Sequence, residues 1–136
     1  MKFPYVKQYS YLMPIIPIKL RRGELIVATE ALVDSGAASC IFGAQFAEVL
    51  GIHDIEENGI EMHFEGASGH TFVGYQHKVT VEVGGLQFEN VPIAFTTQVP
   101  DSAVNILGQQ GFFSICPIKF TYQKKEIDVM TGSVRS

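Results

Sequence analysis

The chain has 136 residues and a mass of 15.0 kDa, enough for one domain and too little for two independent cores. Hydrophobic residues make up 46% and charged residues 18%, which excludes an intrinsically disordered chain. Ten Lys and Arg against 14 Asp and Glu leave a net charge of −4; without a basic excess to neutralise phosphates, nucleic acid is not an expected partner.

Residues 1–10 show no clear period and read as a flexible N-terminal arm ahead of a domain over 11–130, with 131–136 as a tail. The opening MKFPYVKQYSYLMPIIPIKL has three prolines and no continuous apolar run. It reads as neither a signal peptide nor a membrane span, so the expectation is a cytoplasmic protein with no membrane partner. Met13 to Leu20 reads as a strand that Pro14 and Pro17 confine to a sheet edge. Arg21-Arg22-Gly23-Glu24 supplies a turn, and Leu25 to Val33 is an apolar run suited to a buried strand. Cys40-Ile41-Phe42 is a short strand. Gly43 to Leu50 places Phe46, Val49 and Leu50 at helical spacing, with Gly51 as the terminating glycine.

Ile60 to Phe64 and Phe72 to Tyr75 are strand-like and flank Glu65-Gly66-Ala67-Ser68-Gly69-His70-Thr71, a glycine-bearing hairpin tip. His77 to Val83 alternates polar and apolar residues, and Gly84-Gly85 turns it into Leu86 to Phe95. Val104 to Leu107 is a further strand, Gln109 to Ser114 one or two helical turns, and Ile118 to Tyr122 with Glu126 to Val129 a closing hairpin. About nine short strands with close-set turns indicate an all-β barrel or sandwich with one or two short helices.

Cys40 and Cys116 lie in apolar contexts and read as buried free thiols, not a disulfide framework. His63, His70 and His77 recur every seven residues. On a hairpin centred near Ala67 and Ser68, however, His63 faces about residue 72 and not another histidine, and no zinc-type spacing supports a metal. No metal and no cofactor are expected. Gly108-Gln109-Gln110-Gly111 has the form of an RNA-binding G-x-x-G loop but lacks the flanking helices and basic excess. Phe42, Phe46, Phe88, Phe95, Phe112, Phe113 and Phe120 fit core packing.

The sharpest local feature is Ala31-Leu32-Val33-Asp34-Ser35-Gly36-Ala37, an apolar strand that delivers a carboxylate, a hydroxyl and a glycine into a turn. A carboxylate beside Leu32 and Val33 needs hydrogen bonds, which Ser35 or the turn N–H groups can supply. By itself the tripeptide is an ordinary turn with an Asx hydrogen bond. Some seventy residues later comes Asn105-Ile106-Leu107-Gly108, with the glycine hairpin between the two.

In this order the three features resemble the retropepsin family, the single-domain aspartic proteases of retroviruses and their cellular relatives. The resemblance covers roughly residues 11–130. It implies a closed, barrel-like acid-protease fold. It also implies that Asp34 is the catalytic aspartate, that the Ser35 hydroxyl braces two active-site loops across a two-fold axis, and that Gly36 lets the substrate backbone approach. Ala37 and Ala38 would line the substrate site, and Gly66, Ala67, Ser68 and Gly69 would form the tip of a flap closing over a peptide. Ile106, Leu107 and Gly108 would support the site from behind. Retroviral members place an aspartate and an arginine where this chain has Ala38 and Gln109; both charges are missing together, so none is left unpaired.

The chemistry of that family uses two carboxylates, and D-S-G occurs once here. An aspartic endopeptidase built from this chain is therefore expected to be a homodimer contributing one Asp34 from each copy, with a peptide or protein as substrate. The rival expectation is a dimeric scaffold or peptide-binding module that keeps the groove but cleaves poorly or not at all.

Overall fold

The computed structural model describes residues 1–66 and 68–130. The strands are β1 (Lys2–Pro4), β2 (Val6–Gln8), β3 (Tyr11–Met13), β4 (Ile15–Arg22), β5 (Leu25–Val33), β6 (Cys40–Gly43), β7 (Ile60–Glu65), β8 (Thr71–Val83), β9 (Leu86–Thr96), β10 (Asn105–Leu107), β11 (Ile118–Thr121) and β12 (Glu126–Val129). Helix α1 spans Ala44–Val49, and a 3-10 turn covers Tyr122–Lys124.

Strands β4-β5-β10-β6-β9-β8 follow one another in a single sheet, and β8 returns to pair with β4. The result is a closed six-stranded barrel, as expected, with β7 attached outside it to β8. Two of the pairings, β5–β10 and β6–β9, are parallel. Closure rests on three residue pairs, Lys19–Glu82, Leu20–Val81 and Arg21–Thr80.

The two-residue period of the strands builds the core. Ile16, Ile18 and Leu20 of β4, Val79, Val81 and Val83 of β8, and Val91, Ile93 and Phe95 of β9 are all buried. They meet Ala31, Val33, Phe42 and Leu107 in one cluster, each large side chain contributing about 1.5–3 kcal/mol on burial. The Gly84-Gly85 turn has both residues at positive φ, 55° and 92°, the left-handed pair a tight hairpin between β8 and β9 requires.

Several expectations need correcting. The first ten residues are not a free arm: β1 pairs with β12, whose other edge carries β11, in a separate three-stranded sheet. Tyr5 N–H then donates to the Lys125 carbonyl at 2.8 Å, and β2 and β3 form a hairpin of their own. The 131–136 tail lies outside the described residues.

β4 is an edge only over its first half, where Pro17 lies; pairing to β8 starts at Lys19. β5 is buried at Ala31 and Val33, while Leu25 and Ile26 are exposed, because its first half extends beyond the core. The segments 72–75 and 77–83 are one strand, β8, with an irregularity between Val79 and Val81.

Residues 109–114 form turns, not a helix. Phe113 and Ser114 donate five residues back, to the Gly108 and Gln109 carbonyls, and Gly111 sits at φ +103°. Phe42, Phe95 and Phe112 are fully buried, but Phe120 is exposed and stacks on Phe113 with 6.3 Å between ring centroids.

Cys40 and Cys116 are free and buried, and burial pushes both thiols up to about 11. Both should therefore resist a disulfide reagent at pH 8 in the native protein and react once it is unfolded. Because the unfolded thiols ionise first, stability should be unaffected below about pH 9 and fall between about pH 9 and 11. Urea titrations at pH 8 and 10 on the parent and a Cys116→Ala variant measure that slope; equal slopes in the two proteins would remove Cys116 as a contributor.

Candidate active site

Asp34 follows directly on β5, whose parallel pairing with β10 sets Ala31 beside Asn105, Leu32 beside Ile106 and Val33 beside Leu107. The ladder continues into the loop: Asp34 N–H donates to the Leu107 carbonyl at 2.9 Å. Past Gly108 the two segments remain joined, with Gln109 N–H donating to the Ala37 carbonyl at 2.8 Å and Gln110 N–H to that of Ala38 at 2.9 Å. A parallel bridge between Ser39 and Gln110 ends the run. Asp34, Ser35, Gly36, Ala37 and Ala38 are thus brought together with Ile106, Leu107 and Gly108 over the stretch where the sequence places the two motifs.

Within the loop, Asp34 Oδ1 accepts the Gly36 N–H at 2.9 Å and its carbonyl accepts the Ala37 N–H at 3.2 Å. This is the Asx turn the sequence allows. The Asp34 side chain is half-buried, while Ser35, Gly36 and Ala38 are exposed. Among the described residues the Ser35 hydroxyl makes no hydrogen bond.

Three side chains named in the sequence analysis turn out to support the loop in ways it does not assign to them. Cys40 is fully buried behind the loop, its Sγ accepting the Gly108 N–H and its thiol donating to the Gln110 carbonyl, both at 3.4 Å. Asn105 is buried; its Oδ1 accepts the Gly43 N–H at 3.2 Å and its Nδ2 donates to the Glu30 carbonyl at 3.1 Å. It ties the ends of β5, β6 and β10 together. Gln109 Nε2 donates to the Ser35 carbonyl at 2.7 Å, so a neutral amide holds the loop at the position where the retroviral pattern has an arginine.

A cysteine or asparagine inside an apolar run reads as filler, and nothing local predicts these contacts. The one available signal was the polar Asn105 heading an otherwise apolar strand.

The flap candidate is the tip of the β7–β8 hairpin. His63 pairs with Val73 and Phe64 with Phe72, one residue from the register expected. Gly66 N–H donates to the His70 carbonyl at 2.7 Å, and Gly69 sits at φ +83°. Ser68 and Gly69 are exposed; Ala67 lies outside the described residues. No hydrogen bond joins the described part of the tip to the Asp34 loop.

The histidines do not converge: His53 pairs with Glu48 at 2.9 Å, His63 with Glu61 at 2.7 Å, and His77 Nε2 lies 2.7 Å from the Ile55 carbonyl oxygen. A cleft of about 420 Å³ opens between α1, residues 52–56 and Val73 and Tyr75 of β8. It is lined by Gln45, Glu48, Asp54 and Tyr75, among others, and by no residue of the Asp34 loop.

A family model described as Aspartyl protease matches residues 18–110, more than half of the chain, from within β4 to just past Gly108. The chain belongs to the aspartyl protease family. That family is of the retropepsin-like type, and membership supports a general aspartic-protease function. None of the curated proteins matches the chain. Within this aspartyl protease the matched segment ends at Gln110, where the crossing behind the Asp34 loop is complete.

Two outcomes test how the loop is held. Cys40→Ala strands the Gly108 N–H in a buried site and should cost about 1–3 kcal/mol, with Cys40→Ser costing less because a hydroxyl both donates and accepts; chemical denaturation measures both. Gln109→Glu places a carboxyl against the Ser35 carbonyl. It should match the parent in stability at pH 4, where the protonated acid can donate. Stability should then fall by about 1 kcal/mol at pH 7, where the carboxylate cannot.

Proposed function

We propose that the protein is an aspartic endopeptidase in which two Asp34 carboxylates, one from each of two copies, activate a water for attack on a peptide bond. The observation that supports this best is the Asp34 loop itself. Its backbone is bonded from behind to residues 107–110, while the carboxylate is half-buried and the Ser35 hydroxyl is exposed.

The chemistry dictates the second copy. One carboxylate must take a proton from water while another group protonates the carbonyl oxygen of the scissile bond. Two carboxylates about 3 Å apart cannot both ionise and so hold one proton between them, the established behaviour of aspartic-protease dyads. With one D-S-G in 136 residues, the partner carboxylate comes from another chain, and a two-fold axis through the pair makes the contact symmetric. The exposed Ser35 hydroxyl then lies where it can donate across the axis to the facing loop. Gly36, Ala37 and Ala38 leave room for an extended peptide, and Gly66 to Gly69 close over it. Half-buried Ile41, paired with Ile106, favours apolar side chains beside the scissile bond.

Asp34→Asn is the decisive variant, since an asparagine oxygen can still accept the Gly36 N–H and preserve the turn. Cleavage of casein and of a peptide library at pH 4–7 should fall by at least about 10²–10⁴-fold, with the thermal melt unchanged. A peptidomimetic with a hydroxyl at the scissile position should inhibit the parent. Full activity in Asp34→Asn would sink the assignment.

A further inference from the structure

The β7–β8 hairpin is rooted through one strand. β7 pairs only with β8, and the β8–β9 ladder begins at Tyr75, opposite Phe95. Continued by two residues, that register would set Val73 opposite Thr97. The chain instead leaves the sheet after Thr96, the last residue of β9, and Thr97 is exposed.

Two side chains take over what a strand would do. Buried Thr96 donates its hydroxyl to the Val73 carbonyl at 2.7 Å, and Gln98 Oε1 accepts the Val73 N–H at 2.8 Å. Gln98 N–H donates in turn to Thr96 Oγ1 at 3.0 Å, so the three residues close one ring of hydrogen bonds. Both backbone groups of Val73 are held, as in a hydrogen-bonded antiparallel pair, but by side chains that can rotate away.

The same segment leads to Asp34. Gln45 Nε2 of α1 donates to the Asp101 carbonyl at 3.3 Å, and the chain turns where the Ala103 N–H meets the Pro100 carbonyl at 2.9 Å. It then enters β10, whose Leu107 carbonyl takes the Asp34 N–H. One stretch of chain therefore fastens the hairpin at its start and backs the Asp34 loop at its end.

We propose that Gln98 and Thr96 are positioning residues that fix the root of the hairpin relative to the Asp34 loop and so preorganise it to close on a peptide. This role rests on the peptide-cleaving reading above and names the side chains that set the hairpin's place in it. The bond from Val73 to Gln98 is exposed, so water competes for it and its loss leaves the fold standing. What the loss adds is freedom at the root, which a bound peptide must then remove. The effect therefore falls on peptide affinity and not on the chemical step.

The test compares five forms of the full chain: the parent, Gln98→Met, Thr96→Val, Thr96→Ser and Gln87→Met. Methionine resembles glutamine in length without its carbonyl acceptor, valine has the shape of threonine without the hydroxyl, and serine keeps the hydroxyl. Gln87 is the control, an exposed glutamine bonded to Glu82 at 3.2 Å at the other end of the β8–β9 ladder. Amide exchange at Val73 is followed by NMR, KM and kcat on a cleaved peptide, and Kd by calorimetry for a peptidomimetic with a hydroxyl at the scissile position.

Gln98→Met and Thr96→Val should speed exchange at Val73 by about two- to tenfold, the span of one net hydrogen bond. KM and Kd should rise by a similar factor, with kcat within about twofold of the parent. Thr96→Ser and Gln87→Met should stay within about twofold of the parent throughout. Because Gln98 is exposed, its variant tests the role even where Thr96→Val disturbs the core. Unchanged exchange at Val73 in Gln98→Met, or faster exchange with KM and Kd unmoved, would overturn the positioning role and leave the Asp34 reading standing; so would a loss in kcat alone. A parent that binds the peptidomimetic but does not cleave, with weaker binding in Gln98→Met, would overturn the catalytic reading and uphold the positioning role. A parent that neither cleaves nor binds would overturn both.

Discussion

Gly108 has no side chain because two carbonyl oxygens occupy the space where one would begin. A Cβ there would collide with the Ser39 carbonyl oxygen and lie 2.7 Å from that of Ala37. The chain after β10 therefore crosses directly against the back of the Asp34 loop, and every other support depends on that closeness. The Gln109 and Gln110 N–H groups reach the Ala37 and Ala38 carbonyls, and the Cys40 sulfur reaches the Gly108 N–H. With the rest of its backbone held from behind, the loop draws one hydrogen bond from its own side chains, Gly36 N–H to Asp34 Oδ1, and the second carboxylate oxygen and the Ser35 hydroxyl make none among the described residues. The crossing also explains the length of the chain between the motifs. Parallel strands cannot be joined by a tight turn, and the β7–β8 hairpin and most of the barrel lie between Asp34 and Gly108.

That same intervening stretch explains how the β7–β8 hairpin is rooted. β8 runs 13 residues, and its ladder with β9 begins at Tyr75, opposite Phe95. Beyond that point side chains replace the missing strand. Thr96 Oγ1 donates to the Val73 carbonyl at 2.7 Å, and Gln98 Oε1 accepts the Val73 N–H at 2.8 Å. The β9 side of the hairpin is therefore fastened as far as Val73 and open beyond it, which confines easy bending to the glycine-bearing end. Barrel and hairpin share one continuous strand, β8, with two kinds of edge partner.

How much of this the sequence announces depends on the range of the interaction. Asp34-Ser35-Gly36, the Gly84-Gly85 turn and the alternation of Val79, Val81 and Val83 are local patterns with local physics, and each has the structure its spacing implies. β1 carries no such signal, since three residues show no period and the partner, β12, lies more than 120 residues away. The segment 109–114 misleads because its bonds reach five residues back around a left-handed Gly111, which side-chain spacing does not encode. Leu25 and Ile26 read as buried because hydropathy cannot tell a strand inside the barrel from one that outruns it. Cys40, Asn105 and Gln109 act through backbone groups of distant residues, so their identities alone revealed no role.

Gln109 shows what a neutral support can do that a charged one cannot. Ala38 and Gln109 are both exposed, so an aspartate–arginine pair at these positions would be screened by water and salt and would add little to the hold on the loop. Its aspartate would also take up a proton as the pH fell into the carboxylate range, weakening the brace where aspartic chemistry needs one acid protonated. The amide of Gln109 and the carbonyl of Ser35, 2.7 Å apart, contain nothing that titrates there. Ala38, in the other half of the replaced pair, presents no charge to be satisfied. The loop that carries Asp34 can therefore keep one geometry while the carboxylate it presents changes protonation state.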